Sequence, residues 1–349
     1  MGVDAPDAVG RMGGGCGSWG GGVAAVARKG DGARLLVRSS PHLYGGRPIA
    51  AINRDVVLAL VPAVAAGTIL FGPRALALVA VGAAAAVAAE AVYQRVTRRP
   101  VTVRDWSAAL TGLLLALNLP PRAPLWLAAV GAAFAIIVVK QLFGGLGSNF
   151  VNPALAARGV LLAAWPVPMT TWTAPFQART MATPLALLKE GAAAARLPSH
   201  LALFLGVRPG CVGETCVLAL LAGAAYLLAR RVIDWRIPAA FLGTLAVATW
   251  AVGGRGGAFT GDPLFHVLAG GATLGAFFMA TDYVTSPVTH RGRVIFGAGC
   301  GLITALIRLF GGYPEGVSYA ILLMNLVAPL LDRVTAPRPF GRRSAGGRG

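Results

Sequence analysis

The sequence predicts an all-α integral membrane protein, a polytopic bundle that crosses the bilayer many times. Of its 349 residues, 56% are hydrophobic and only 13% are charged, whereas a water-soluble domain carries about 25% charged residues. Apolar stretches of roughly 17–25 residues, long enough to span a bilayer, recur from about residue 55 to residue 332. A membrane β-barrel would alternate apolar and polar residues in segments of about ten, and the sequence lacks that pattern.

Ten candidate spans follow one another along the chain. The third and the fifth are short or contain proline, which interrupts a helix. Their approximate bounds are 55–72, 75–93, 106–120, 124–143, 151–168, 214–233, 237–253, 263–281, 293–310 and 317–331.

The basic residues lie mainly in short connections and in both tails. A formal net charge of +18 could indicate nucleic-acid binding, but the positive-inside rule explains this distribution, so we expect membrane lipid and no nucleic acid as a partner. Arginines at 95–104, 230–236 and 291–293, and those after residue 332, then face the cytoplasm. Both termini are therefore predicted to be cytoplasmic, and the long connection 169–213 lies outside.

Both tails are rich in glycine and arginine, have no apolar stretch of signal-peptide length and are predicted to be disordered. The expected organisation is an amino-terminal tail at 1–40, a membrane domain at 41–333 with repeat one at about 55–168, the outer loop at 169–213 and repeat two at about 214–331, and a carboxyl tail at 334–349.

The two groups of five spans resemble each other. "LFGGLGSNFVNPAL" (142–155) is similar to "LFGGYPEGVSYAIL" (309–322), and each follows a span that contains glycine, "LTGLLLALNLP" (110–120) or "LGAFFMATDYVTSP" (274–287). Because five is odd, the halves would have opposite orientations. Inverted repeats with interrupted helices build a site at their interface, so the sequence predicts two inverted five-helix repeats.

A polar cluster follows the eighth span. Thr281, Asp282, Thr285 and Ser286 stand where Pro287 favours a broken helix end. Unwound backbone at membrane depth is tolerated where it is buried in protein or lines a cavity. The cluster is therefore a candidate polar pocket, and the alternative is an ordinary helix cap at the membrane interface.

A second candidate lies at the junction of the fourth and fifth spans. Gly144, Gly145 and Gly147 let the backbone approach a ligand or another helix closely. Asn149 and Asn152 can satisfy exposed backbone groups. Ligand contact and close helix packing explain this stretch equally well.

Few ionisable groups lie within the spans. We expect Glu90 and Lys140 to extend from span ends towards water. Cys211 and Cys216 are near enough in sequence for a disulfide, with two unrelated cysteines as the alternative. The histidines and cysteines show no metal-site spacing, so we assign no metal ligand and no catalytic residue.

Several long blocks, in order, resemble one family. The chain is similar to the RnfD component of Rnf electron-transport complexes, which is related to the NqrB component of the sodium-translocating NADH:quinone reductase. The resemblance covers about residues 39–333, and it is densest at 140–159, 213–221, 231–244 and 275–325.

The resemblance implies a membrane subunit of an oxidoreductase that couples electron flow between ferredoxin and NAD to Na⁺ or H⁺ translocation. It implies a urea-transporter-like fold in the bacterial cytoplasmic (inner) membrane, with RnfA, RnfB, RnfC, RnfE and RnfG as partners. Two alternatives stay open, a quinone-reductase component and a urea-transporter-like solute channel. Arg158 and Arg308 lie deep in spans, and carboxylates, a flavin phosphate or no group at all could pair with them.

In this family a threonine of a Ser/Thr-x-Ala-Thr motif carries FMN, joined through its phosphate by a flavin transferase. "TMAT" (180–183) matches, so the resemblance identifies Thr183 as the acceptor, with Arg179 and Thr180 as possible contacts. A flexible outer loop should expose this hydroxyl to the transferase. Some relatives hold a second, noncovalent riboflavin, for which the resemblance suggests the cluster at Asp282 or the junction at 144–149.

The motif departs from the family at two positions. Met181 stands where glycine is usual, and Gln177 stands where an acidic residue is frequent. Without the family, "TMATPLALL" indicates a helix start, with threonine as the cap and Pro184 at the first position. Both interpretations are compatible, because a helix amino terminus also favours a phosphate.

Overall fold

In the computed structural model the protein forms two compact units, residues 1–47 and 48–349. In the first unit, strands β1 (Ala24–Val26) and β2 (Leu35–Val37) pair antiparallel, which the sequence does not predict. The rest of the predicted amino-terminal tail and residues 338–349 of the predicted carboxyl tail lie outside the described residues, whereas residues 334 and 335 belong to the last helix rather than to a disordered tail. The structure describes residues 24–26, 35–37, 47–177, 179–191, 197–253, 257–312 and 315–337.

The second unit is helical. Its first half contains α1 (Ile49–Phe71), α2 (Pro73–Val96), α3 (Ser107–Leu117), α4 (Leu125–Phe134, continued as a π-helix over Ala135–Gln141) and α5 (Pro153–Ala164). The connection contains α6 (Pro166–Thr170), α7 (Pro184–Lys189) and α8 (His200–Leu205). The second half contains α9 (Val217–Ala229), α10 (Arg236–Val252), α11 (Pro263–Leu268), α12 (Ala272–Leu274, continued as a π-helix over Gly275–Met279), α13 (His290–Phe310) and α14 (Val317–Thr335).

The helices have the composition of an integral membrane protein. Within the described residues, α1, α2, α13 and α14 are long and apolar enough to cross a bilayer. Others are much shorter: α3 and α5 contain 11 and 12 residues, which is about 16–18 Å at 1.5 Å per residue. That length is about half of a hydrocarbon core roughly 30 Å thick.

The eighth span is interrupted, so the prediction of a continuous span over 263–281 is wrong. α11 ends at Leu268, and the chain resumes as a helix only at Ala272. Gly270 has a φ of +64°, a conformation that favours glycine and breaks the helix. Arg308 of α13 donates to the carbonyls of His266 and Ala269. The partners of this arginine are therefore backbone groups that the break leaves free.

Small residues bring the helices into close contact. Gly82 of α2 and Gly112 of α3 face each other, and an added Cβ on Gly112 would lie 2.4 Å from the Gly82 carbonyl oxygen. In α9, a Cβ on Gly223 would lie 2.0 Å from the carbonyl oxygen of Ala59 in α1. Small residues at such crossings let membrane helices pack backbone to backbone. The α1–α9 contact joins the two halves of the unit.

The α1–α9 crossing should not tolerate a side chain. We expect Gly223→Ala to lower the unfolding free energy by about 1–3 kcal/mol, since the backbone of α1 has to shift. Gly243 in α10 has nothing within 4 Å of its Cβ position, so Gly243→Ala is the matched control and should be neutral or slightly stabilising. Thermal unfolding in detergent measures both variants. Equal midpoints would show that the crossing is looser than described.

Candidate functional site

Thr183 begins helix α7. Its Oγ1 accepts a hydrogen bond from the Ala186 amide at 3.2 Å, and Pro184 occupies the first helical position. The predicted helix start at this motif is thus confirmed. The side chain of Thr183 is only 4% exposed, so the expectation that a loose loop exposes the hydroxyl is wrong. Capping draws the hydroxyl against the helix end.

The residues before Thr183 are held against a neighbouring segment. Thr180 forms a bridge with Thr173, and the Met181 amide donates to the Trp172 carbonyl at 3.0 Å. Arg179 and Thr180 are exposed. Beside this bridge lies an open cleft of about 560 Å³, the outer groove, which is lined by residues 170–172, residues 180–183 and Ala186.

Helix α7 is tied to the second half of the unit. Leu185 belongs to an apolar cluster with Leu268 and Ala269, so α7 packs over the break in the eighth span. The Lys189 ammonium donates to the Gly311 carbonyl at the end of α13. The bundle therefore fixes the position of Thr183.

A buried arginine lies near the outer groove. Arg158 of α5 donates from Nη2 to Glu315 at 2.5 Å and from Nη1 to Asn118 at 2.9 Å and Ser318 at 3.1 Å. Its partner is thus a carboxylate, which decides among the possibilities left open by the sequence. Trp172 is shared between the outer groove and the pocket that Arg158 lines.

Two carboxylates and a thiol meet beside Arg158. Donor atoms of Cys211, Glu214 and Glu315 lie within 4.8 Å of one another, a spacing that could hold a metal ion. Glu214 Oε2 is buried without a hydrogen-bond partner among the described residues. The Arg158 guanidinium already contacts Glu315 and, at 3.6 Å, the Cys211 sulfur. Arg158 therefore already supplies a positive charge to this group of side chains.

The cysteines of this region are thiols. Cys211 and Cys216 are both free, so no disulfide joins them. Burial, followed by the charge of Glu214, raises the pKa of the Cys211 thiol well above its usual range. Because the thiolate is the reactive species, a buried neutral thiol is chemically inert.

Asp282 lines a second cavity, the inner cavity, of about 110 Å³. Asn149, Asn152, Lys140 and Thr281 also line it. The Asp282 carboxylate accepts from the Val284 amide and the Thr285 hydroxyl, both at 3.3 Å. Burial raises the pKa of Asp282, although these two hydrogen bonds oppose the shift. The cluster is therefore both a pocket wall and a cap.

The candidate glycines shape the backbone beside the inner cavity. Gly144, Gly145 and Gly147 have φ values of +122°, +96° and +91°, in the region that other residues adopt only under strain. None of the three lines the cavity. Asn152 caps α5 by accepting from the Ala154 amide at 3.0 Å, whereas the Asn149 amide donates to Val151 at 3.2 Å.

Comparison with known proteins decides the family. A model of the NQR2, RnfD, RnfE family matches residues 36–341, most of the chain. The chain belongs to the NQR2, RnfD, RnfE family. The outer groove and the inner cavity are both built by residues within the matched range.

Members of the family with assigned names match along nearly their whole length. The chain is 52% identical over 311 residues to the D component of the Na⁺-translocating ferredoxin:NAD⁺ oxidoreductase complex of Acetobacterium woodii, covering 88% of this chain and 95% of that one. It is 46% identical over 320 residues to the D component of the proton-translocating ferredoxin:NAD⁺ oxidoreductase complex of Clostridium ljungdahlii, covering 88% and 97%. The D component of the ion-translocating oxidoreductase complex of Stutzerimonas stutzeri is 42% identical over 328 residues, covering 84% and 93%.

One ion pair in this family member was missed from the sequence. Lys140 and Glu90 do not reach water: their side chains are 3% and 1% exposed and lie 2.8 Å apart. Lys140 also donates to Ser107 at 2.6 Å, and Gln141 donates to Glu90 at 2.7 Å. The two residues stand on different helices, so no local spacing signals the pair. Their opposite signs near the ends of the second and fourth predicted spans were the available clue.

The Glu90–Lys140 pair should behave as a unit. Lys140→Met alone leaves a buried carboxylate uncompensated, and we expect it to lower the unfolding free energy by about 3–5 kcal/mol. The double variant Lys140→Met, Glu90→Leu should lose much less. Unfolding in mixed micelles would measure both. As a control, His200→Gln removes one partner of a half-exposed pair with Asp262 and should cost under about 1 kcal/mol. If the double variant lost as much unfolding free energy as the sum of the two single losses, the two residues would not compensate each other's charge.

Proposed function

We propose that this chain is the RnfD component of an ion-translocating ferredoxin:NAD⁺ oxidoreductase and carries FMN covalently on Thr183. In this role it passes electrons between the ferredoxin-linked and the NAD-linked components. The observation that carries the proposal is the position of the "TMAT" threonine, at the edge of an open groove in a chain whose relatives are the D components of such complexes. Those relatives also favour the redox role over a passive solute channel or a quinone reductase.

The volume and the lining of the outer groove suit FMN. Its volume of about 560 Å³ falls in the range of about 300–1,000 Å³ typical of ligand pockets. Thr170, Thr171 and Thr180 offer hydroxyls, and Trp172 offers an apolar face. FMN supplies the redox chemistry, and the protein sets its position and potential.

Thr183 can cap α7 and carry a phosphate together. The flavin transferase would form a bond between Thr183 Oγ1 and the phosphorus of an activated FMN donor, with departure of the hydroxyl proton and of the donor's leaving group. The ester oxygen keeps lone pairs with which to accept from the Ala186 amide. Pro184 has no amide hydrogen and the Ala186 amide already donates to Thr183 Oγ1, so the first turn of α7 offers a phosphate little beyond the Leu185 amide. Arg179, exposed on the same loop, adds positive charge.

We further propose ten spans arranged as two inverted repeats. The sequence offset that aligns Leu142 with Leu309 also aligns Asn118 with Thr285 and Arg158 with Asn325. Asn118 accepts from Arg158 at 2.9 Å. With its amide oriented to suit its neighbours, Asn325 donates to the Thr285 carbonyl at 3.2 Å. α2 against α4 and α10 against α13 are likewise corresponding pairs of packed helices.

This architecture would lie in the bacterial cytoplasmic (inner) membrane. The distribution of arginine between the spans supports cytoplasmic termini and an extracytoplasmic loop at 169–213. The outer groove would then meet its electron-transfer partners outside the cytoplasm, among RnfA, RnfB, RnfC, RnfE and RnfG.

A second, noncovalent riboflavin would belong in the inner cavity, with polar contacts from Asn149, Asn152 and Asp282. The present volume of about 110 Å³ is below the usual ligand range of about 300–1,000 Å³. We therefore propose riboflavin there only in a widened form of the cavity, opened by the glycine-rich turn at 144–147.

Covalent attachment gives the decisive test. After co-expression with the flavin transferase, we expect flavin fluorescence to stay with the denatured wild-type and Thr183→Ser chains and to fall to background in Thr183→Ala. Loss of the cap costs only about 0.5–2 kcal/mol, so the alanine variant should still fold. Thr260→Ala, which removes an exposed hydroxyl outside the motif and the groove, is the matched control and should remain fluorescent.

Two outcomes would contradict the proposal. A dark wild-type band from an assembled complex would favour a channel or scaffold. A fluorescent Thr183→Ala band would place the attachment elsewhere, and mass spectrometry of the peptide spanning 180–190 would then locate it.

A further inference from the structure

A small pocket adjoins the outer groove. It lies between α5, the segment after α6 and the start of α14, has a volume of about 60 Å³, and shares Thr170 and Trp172 with the groove. Most of its wall is apolar, and Arg158, Glu315 and Ser318 form the polar part. A flat ring lying along the groove could therefore place one polar edge at this pocket.

The polar wall of this pocket carries the positive charge of Arg158, whose position is fixed by hydrogen bonds. Asn118, Ser318, Glu315 and the Cys211 sulfur all accept from the two Nη atoms of Arg158. The guanidinium therefore acts on a ligand through its charge rather than through new hydrogen bonds. Ser318 accepts from Arg158, which leaves its own hydroxyl hydrogen to donate to a carbonyl oxygen. The side chain of Glu315 is 16% exposed, so water screens this group of charges only weakly.

Two aromatic side chains flank the same space. Trp172 and Tyr319 both line the pocket, and both are partly exposed. Aromatic faces suit a planar ring system. The combination of aromatic walls with a cation and the Ser318 hydroxyl matches the pyrimidine end of an isoalloxazine, which carries two carbonyls.

We propose that this pocket receives the polar edge of the flavin ring carried on Thr183, and that the Arg158–Glu315 pair tunes the potential of that ring. The inference rests on the proposed covalent attachment and deepens it. Addition of one electron to a bound ring adds one negative charge, which Arg158 stabilises and Glu315 opposes. The potential of the site therefore reflects the balance within this ion pair.

Filling the pocket tests the placement. Gly159 lines the pocket, and among the described residues a Cβ on it would meet only Leu322, at 3.9 Å, so Gly159→Leu adds bulk at the pocket wall without displacing backbone. In the complete complex, we expect this variant to keep covalent flavin. Its native flavin fluorescence should rise at least about twofold, because the ring leaves the aromatic walls. Gly243→Leu adds the same side chain to a glycine of α10 with open space around it and should match wild type.

Substitution of Glu315 tests whether the Arg158–Glu315 pair tunes the potential of the flavin. Glu315→Gln removes the charge that opposes Arg158, so we expect the ratio of reduced to oxidised flavin at a fixed potential to rise about tenfold, or about 59 mV for one electron. Glu190→Gln makes the same chemical change at an exposed residue just after α7 and should leave the ratio unchanged. Redox titration of the covalent flavin in the complete complex measures both.

The outcomes separate this inference from the function on which it rests. Covalent flavin in every variant, with Gly159→Leu and Glu315→Gln both indistinguishable from their controls, would overturn the ring pocket and leave the attachment at Thr183 intact. Absence of covalent flavin from the wild-type chain would remove both proposals. A tenfold shift in Glu315→Gln alone would retain the tuning pair and discard the placement of the ring edge.

Discussion

Polar groups inside this bundle have to find partners within the protein, because hydrocarbon offers none. The structure meets that constraint with long side chains that bridge distant segments. Lys140 pairs with Glu90, Arg158 pairs with Glu315, and Arg308 binds the carbonyls left free where the eighth span breaks. The cavities and the groove form beside these bridges. The short helices end inside the bundle. The polar groups at their ends need hydrogen-bond partners there, and the space beyond their ends is available to ligands.

The polar contacts between distant segments also differ between the two halves of the unit. In the proposed inverted repeat, Asn118 and Arg158 correspond to Thr285 and Asn325; the first two meet outside the inner cavity, and the other two meet beside it. The first half therefore has a cation, Arg158, where the second half has a side-chain amide, Asn325. An amide needs only local hydrogen bonds, whereas a buried charge is costly unless it is compensated, and Arg158 is compensated by a carboxylate. Glu315 supplies that carboxylate, and the charge pair occurs at the end of the bundle where the outer groove lies.

The candidate anchor shows how local and tertiary forces combine. Thr183 followed by Pro184 is enough to start a helix, and the hydroxyl turns inward to cap it. Tertiary contacts then hold that short helix in place, through Leu185 over the helix break and Lys189 at the end of α13. The proposed chemical role of Thr183 comes from the family resemblance and from neither of these levels. The proposed attachment therefore falls on a residue whose structural role, capping a helix, is ordinary.

The sequence by itself determined the membrane class, the order of the helical segments and the helix start at Thr183, because apolar length and capping are local properties. It also placed Asp282 at a polar junction. Only the tertiary structure decided that Glu90 and Lys140 form a buried pair rather than reaching water, that Arg158 meets Glu315, and that α11 and α12 are separate. These features depend on which segments meet in space. A charge deep in a span signals that a partner exists, but packing across the bundle selects that partner.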